Sequence, residues 1–155
     1  MSAVTTVTKE IESKITSDLW DRQKRWELKR EVLIETTKRI AVARTALTHL
    51  CAIYTTEKAS KDKGRPERPE KRIEVGAEWT KAANELDEAT SLVALACGDD
   101  VQKAVQAFAI FTGDLAEEIT QGRPEALTSS AKELVSKANA VSAAMRSEMR
   151  IESSA

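Results

Sequence analysis

Residues 19–54, LWDRQKRWELKREVLIETTKRIAVARTALTHLCAIY, decide the fold. Within them Leu19, Trp26, Leu33, Ile40, Leu47 and Tyr54 recur at seven-residue spacing. Seven residues make two helical turns, so these side chains fall on one stripe. Neither Gly nor Pro occurs before Gly64, so nothing in the backbone chemistry stops a helix from about residue 4 to about residue 60. Such a rod measures ~80 Å at the usual rise per residue. A break at Ser17-Asp18 is the alternative, because Ser followed by an acid is a helix-start signal. From Leu33 to Tyr54 the apolar face broadens to include Val42, Ala43, Ala46, Leu50, Cys51 and Ile53, as for a helix packed against two neighbours. From Leu19 to Arg30 it narrows to a single file of side chains.

Working outward, residues 58–72, KASKDKGRPERPEKR, hold Gly64, Pro66 and Pro69 and seven basic groups against three acidic. That composition predicts an exposed loop. A second helix is expected over residues 73–97, with Val75, Trp79, Ala82, Leu86, Ala89, Val93 and Ala96 on one side at alternating spacings of four and three. Gly98 should end it, and Asp99-Asp100 should cap and charge the start of a third helix carrying Val101, Ala104, Val105, Phe108, Phe111, Leu115 and Ile119. Gly122 should close that helix, and Pro124-Glu125 should open a fourth with Leu127, Ala131, Leu134, Ala138, Val141 and Met145 inward. The tail IESSA is expected to fray.

Short connections make neighbouring helices antiparallel, so the expected fold is all-α: an antiparallel up-down four-helix bundle with an overlong N-terminal helix. Folding the first helix back on the second places Tyr54 against Trp79, Leu47 level with Leu86 and Ile40 level with Val93. The second helix then ends near the level of residue 35. On this basis residues 1–32 form a projecting helical segment and residues 33–155 the bundle, in a single domain overall. The projecting stripe is too narrow for a second core and suits a two-stranded contact. Val7, Ile11, Ile15, Leu19 and Trp26 are therefore the candidate self-association residues, with a second copy of the chain as partner.

Composition narrows the function classes. The chain has 155 residues, 41% hydrophobic and 32% charged, with 24 Lys+Arg against 25 Asp+Glu. This is neither a disordered tail nor a basic nucleic-acid binder, and no nucleic-acid partner is expected. Five Gly, three Pro and six aromatic residues are too few for an all-β fold. The longest apolar runs, residues 92–97 and 107–111, fall far short of a membrane span. The opening MSAVTTVTKEIESK lacks the apolar centre of a secretory signal, so the cytoplasm is the expected location. Charge is segregated along the chain: residues 1–73 carry net +6, residues 74–118 net −8 and residues 119–155 net +1.

Most site chemistries are absent from the residue inventory. Two Cys and one His are too few for a structural zinc framework. In the hairpin register Cys51 and Cys97 lie some 20 Å apart along the helices, too far for a disulfide, and both are expected to be core thiols. No phosphate-binding glycine loop occurs, and no base serves a nucleophilic triad apart from His49. Glu85-x-x-Glu88 and Asp114-x-x-Glu117 resemble the magnesium-binding carboxylates of all-helical nucleotide pyrophosphohydrolases. The resemblance departs where the leading acid is Asn84 and the second pair is reversed, and solvated carboxylates with no bound metal are expected. A lone His49 on a helical bundle also resembles histidine phosphotransfer domains. There the family's supporting Lys and Gly positions hold Leu50, Cys51, Ala52 and Ile53, which favours an ordinary boundary histidine.

The run DRQKRWELKREV places five basic and three acidic residues of 21–31 around Trp26. It is similar to the start of the bundle in uncharacterised bacterial helical-bundle proteins with a Trp-Glu-Leu-Lys-Arg-like first helix. The similarity covers residues 18–55 and implies no activity. It departs where those proteins carry a membrane anchor, since no apolar span precedes Ser17. Trp26 amid Lys and Arg would also suit an anionic membrane surface. The expectation is a non-enzymatic scaffold or interaction protein, without cofactor or metal, that self-associates through its N-terminal helix. A peripheral membrane module is the first alternative, and a phosphate-handling enzyme or phosphotransfer protein the second.

Overall fold

The computed structural model describes residues 3–64 and 69–154, with side chains described for residues 21–64 and 69–150. Among the described residues all regular structure is helical: α1 (Ala3–Asp62), α2 (Pro69–Ala96), α3 (Asp99–Thr120), α4 (Ala126–Ser129) and α5 (Ala131–Ser154). α1 passes without interruption through Ser17-Asp18. Its interior hydroxyls are satisfied locally, Thr36, Thr37 and Thr48 each donating to the carbonyl four residues back. That bond lets Thr36 be buried without an orphaned polar atom.

Several expected boundaries move. α1 runs to Asp62 and α2 starts at Pro69, so the connection shrinks from residues 58–72 to residues 63–68. The reason is chemical: Pro at the first helical position lacks only an N–H that would have no intrahelical acceptor, and Glu70 follows in the first turn. At α3 the N-cap is Gly98, with extended backbone, and both Asp99 and Asp100 lie inside the first turn. α3 closes in a Schellman arrangement. Arg123 N–H donates to Glu118 O and Gly122 N–H to Ile119 O, with Gly122 at φ +94°. The expected fourth helix is divided: Pro124-Glu125 lead into the single turn α4, and α5 begins after Ser130. Ala131 is exposed as a result. α5 continues through Ser154, taking in most of the tail expected to fray.

Side-chain contacts set the pairing. Along α1, Arg39 Nη1 donates to Glu85 O at 2.8 Å and pairs with Glu88 at 3.5 Å. His49 meets Glu78 at 2.8 Å and Glu57 meets Arg72 at 2.7 Å. Partner numbers fall as α1 advances, so α1 and α2 are antiparallel. Tyr54 shares a crevice with Pro69, Arg72 and Ile73, placing it about one and a half turns from the expected level of Trp79. Each level of α1 thus meets residues of α2 numbered about six lower than expected. α2 therefore reaches further along α1 than the level of residue 35, and Leu95 and Ala96 share a crevice with Trp26, Leu28 and Lys29. α3 and α5 are likewise antiparallel, Gly98 facing Glu148 and Lys137 lying over the Phe111 ring at 5.9 Å. α1 and α5 meet at Lys29–Glu148 and Thr37–Met145, while further along α1 Cys51 meets Pro124 and Lys58 meets Glu125 in the segment leading to α4.

The core follows the expected stripes closely. Leu33, Ile40 and Leu47 of the heptad column are buried, as are Ala43, Ala46 and Leu50 beside them. Val75, Ala82, Leu86, Ala89 and Val93 supply α2, and Val101, Val105, Phe108, Leu115 and Ile119 supply α3. Leu134, Val141 and Met145 complete it from α5. Val42 departs from expectation and is exposed, because it lies about 100° round the helix from Ala43, on the solvent side. Burial of Val32 and Leu33 shows that packing on α1 begins by residue 32.

Leu86→Ala is expected to cost ~2–5 kcal/mol, read as a fall in the urea midpoint. Gly122→Ala is expected to cost about 1 kcal/mol, because a Cβ there meets no neighbour and only the left-handed backbone is penalised.

Candidate interaction surface where α1 leaves the bundle

Glu148 organises the end of the bundle from which α1 emerges. Its Oε1 accepts from Gly98 N–H at 2.8 Å and pairs with Lys29 Nζ at 3.0 Å, the Lys29 and Glu148 side chains being only 13% and 14% exposed. One carboxylate thus ties α1, the α2–α3 turn and α5 together. The approach is close: a Cβ at Gly98 would lie 3.1 Å from Glu148 Oε2, and the carboxylate would have to shift by a few tenths of an ångström to admit it. Gln102 Nε2 donates to Cys97 O and secures the same turn.

Two grooves flank α1 at this level. The first, between α1 and the end of α2, is lined by Arg22, Gln23, Arg25, Trp26, Leu28, Lys29, Leu95 and Ala96. Leu95 is 86% exposed and Leu28 55%. The half-buried Trp26 has the Arg30 guanidinium 5.8 Å from its ring, within cation–π range. The second, between α1 and α5, has about 640 Å³ and a floor of Leu33, Ile34, Thr37, Met145 and Met149. Its borders are Arg30 and Lys38 on α1 and Arg146 and Arg150 on α5, and none of the described lining residues is acidic.

Of the candidate self-association residues, Trp26 lies at this junction. Val7, Ile11, Ile15 and Leu19 lie outside the residues whose side chains are described. The second groove was not foreseen, although Met145-Arg146 and Met149-Arg150 repeat one turn apart in the sequence. That repeat is the signal that could have found it.

The remaining candidates sit elsewhere. His49 is 53% exposed, and its Nδ1 faces Glu78, whose negative charge would oppose a phosphoryl group on the ring. Glu88 is held by Arg39, and Glu117 accepts from Gln121 Nε2. Asp114 is exposed, and Glu85 lends its backbone carbonyl to Arg39. No three His, Cys, Asp or Glu gather for a metal among the described residues. Cys51 and Cys97 are free thiols, each half-buried. Cys51 Sγ donates to Pro124 O at 3.2 Å, whereas Cys97 adjoins the Glu148 clasp. Burial foremost, then Glu148, push the Cys97 pKa from 9.0 up to about 11, against a lowering by Lys29.

Comparison with family models, curated proteins and solved structures found no match.

In a Cys51→Ala background, Cys97 is expected to alkylate slowly at mildly alkaline pH. Glu148→Gln should speed the reaction by removing the negative charge, and Lys29→Gln should slow it. Folded Cys97 holds its proton to higher pH than the unfolded chain, so its stabilising contribution is complete below pH 9.0 and lost as pH rises toward about 11. Glu148→Gln is further expected to cost ~1–3 kcal/mol by weakening the clasp.

Proposed function

We propose that the chain is an up-down four-helix bundle acting as a non-enzymatic scaffold, and that it self-associates through the overlong N-terminal part of α1. The observation that carries this reading is a mismatch of lengths. α1 has 60 residues against 28 in α2 and 24 in α5, or ~90 Å against ~42 and ~36 Å. Lys29 already meets Glu148 near the end of α5, which leaves some twenty residues of α1 past either neighbour. A lone helix of that length is marginal in water, and pairing would both stabilise it and bury its narrow stripe. Burial at ~25 cal/mol per Å² could supply several kcal/mol per chain. Exposed Leu28 and half-buried Trp26 extend the apolar stripe to the bundle.

A peripheral membrane role is the second reading, favoured by the first groove, where Trp26, Leu28 and Leu95 sit beside Arg22 and Arg25. No helix among the described residues is long and apolar enough to cross a membrane. A cytoplasmic location belongs to the same proposal.

Light scattering of the full chain is expected to give a dimer or larger assembly at micromolar concentration. Removal of residues 1–20, or Ile11→Glu with Ile15→Glu in the full chain, should give a monomer with unchanged melting of the bundle. A full chain that stays monomeric at high micromolar concentration would sink the proposal. Capture of that monomer by anionic vesicles, lost with Trp26→Ala, would favour the membrane reading.

A further inference from the structure

The α1–α5 groove lies beyond the self-association stripe and has its own chemistry. Ile34 is 45% exposed on its floor, beside Met145 and Met149. Methionine suits such a place, since its flexible thioether adapts to different apolar surfaces. Thr37 does not present a free hydroxyl, because Oγ1 donates to Leu33 O and lies 3.5 Å from Met145 Sδ. The floor is thus apolar, while both long borders are cationic: Arg30 and Lys38 on one side, Arg146 and Arg150 on the other.

We propose that this groove docks an acidic amphipathic helix of another protein, its apolar stripe on Ile34, Met145 and Met149 and its carboxylates against Lys38 on one border and Arg146 on the other. Charge selects the occupant. A second copy of the same groove would set one row of cations against another, and like charges across a contact are strongly unfavourable. Shape selects it as well. The groove is an open valley between two antiparallel helices, so a single acyl chain would leave much of its surface in water, whereas small-molecule sites bury most of their ligand. A helix ~10 Å across fills such a valley and adds one more member to the bundle. Charges flanking an apolar seam on both sides are what set partner choice in helix pairing.

The test is fluorescence anisotropy of the full chain with two labelled three-heptad peptides. Both carry Leu at the seam positions; one has Glu and the other Lys at the flanking positions. The Glu peptide is expected to bind saturably, about tenfold or more tighter than the Lys peptide, and more weakly as salt rises. Lys38→Glu with Arg146→Glu should weaken the Glu peptide by about tenfold and strengthen the Lys peptide. Ile34→Ser, at an exposed position, should weaken the Glu peptide without moving the melting temperature. Arg22→Glu with Arg25→Glu, outside this groove, should leave the affinity within about twofold. Absence of saturable binding, equal binding of the two peptides, or equal losses from the two charge reversals would each overturn the proposal. If Lys38→Glu with Arg146→Glu abolished capture by phosphatidylglycerol vesicles while the Glu peptide did not bind, the groove would belong to a lipid surface. If the same variant changed the mass of the assembly, it would belong to a second copy. Both outcomes overturn the proposal, and neither depends on whether removing residues 1–20 yields a monomer.

Discussion

The antiparallel pairing of α1 with α2 is the most extensive helix contact among the described residues, and Ala43 and Ala46 of α1 and Ala82 and Ala89 of α2 are all buried. Small side chains let two helix axes approach to the short end of the usual range, and the larger Leu47, Leu50, Leu86 and Val93 then fill the core around them. The register of that hairpin governs the rest of the architecture. It brings the last turn of α2 to the level of Trp26 and Lys29, where the turn at Gly98 can donate to Glu148. With α5 tied there, the α1–α5 groove acquires its two cationic borders. Beyond that level the lengths of α2 and α5 leave α1 to continue without them.

The charge pattern divides into groups with different consequences. Along the α1–α2 contact, cations of the basic first part of the chain meet carboxylates, as Arg39 meets Glu88 and Arg72 meets Glu57. A pair as open as Arg39–Glu88, its carboxylate 66% exposed, contributes only tenths of a kcal/mol and tunes the register that packing has chosen, whereas Arg72–Glu57, with Glu57 14% exposed, is largely covered. Arg30, Lys38 and Arg146 are exposed around an apolar floor with no carboxylate among the described lining residues. Their placement adds little to folding, and its physical effect is on whatever approaches the groove. The Glu148 clasp is a third case, nearly shielded from water, where loss of one partner strands the others.

Much of the fold was legible because helix burial follows a period that one sequence displays. Leu33, Ile40 and Leu47 are buried at their seven-residue spacing, and the α2 stripe from Val75 to Val93 holds with only Trp79 half-exposed. Errors arose where two local signals competed. Pro69 carries both a loop signal and a helix-start signal, and the second prevailed; separately, the hairpin register puts Tyr54 beside Pro69, Arg72 and Ile73 and not at the level of Trp79. Ala131 satisfied the period of a single fourth helix, but the chain turns at Ser130 and leaves it in solvent. The candidate surface was legible only in part. Trp26 and its neighbouring cations stand together in the chain, whereas Ile34 and Met149 are brought together by packing.

By itself the sequence determined that the chain is helical, where its glycines end helices and which faces turn inward. These depend on periodicity and backbone chemistry, which act over a few residues. Only the tertiary structure decided that Gly98, Lys29 and Glu148 form one clasp, that His49 faces Glu78, and that arginines from α1 and α5 border one apolar groove. Those arrangements depend on interhelical register. A slip of a turn and a half leaves every stripe facing the core, yet it changes which polar residues meet across the helices.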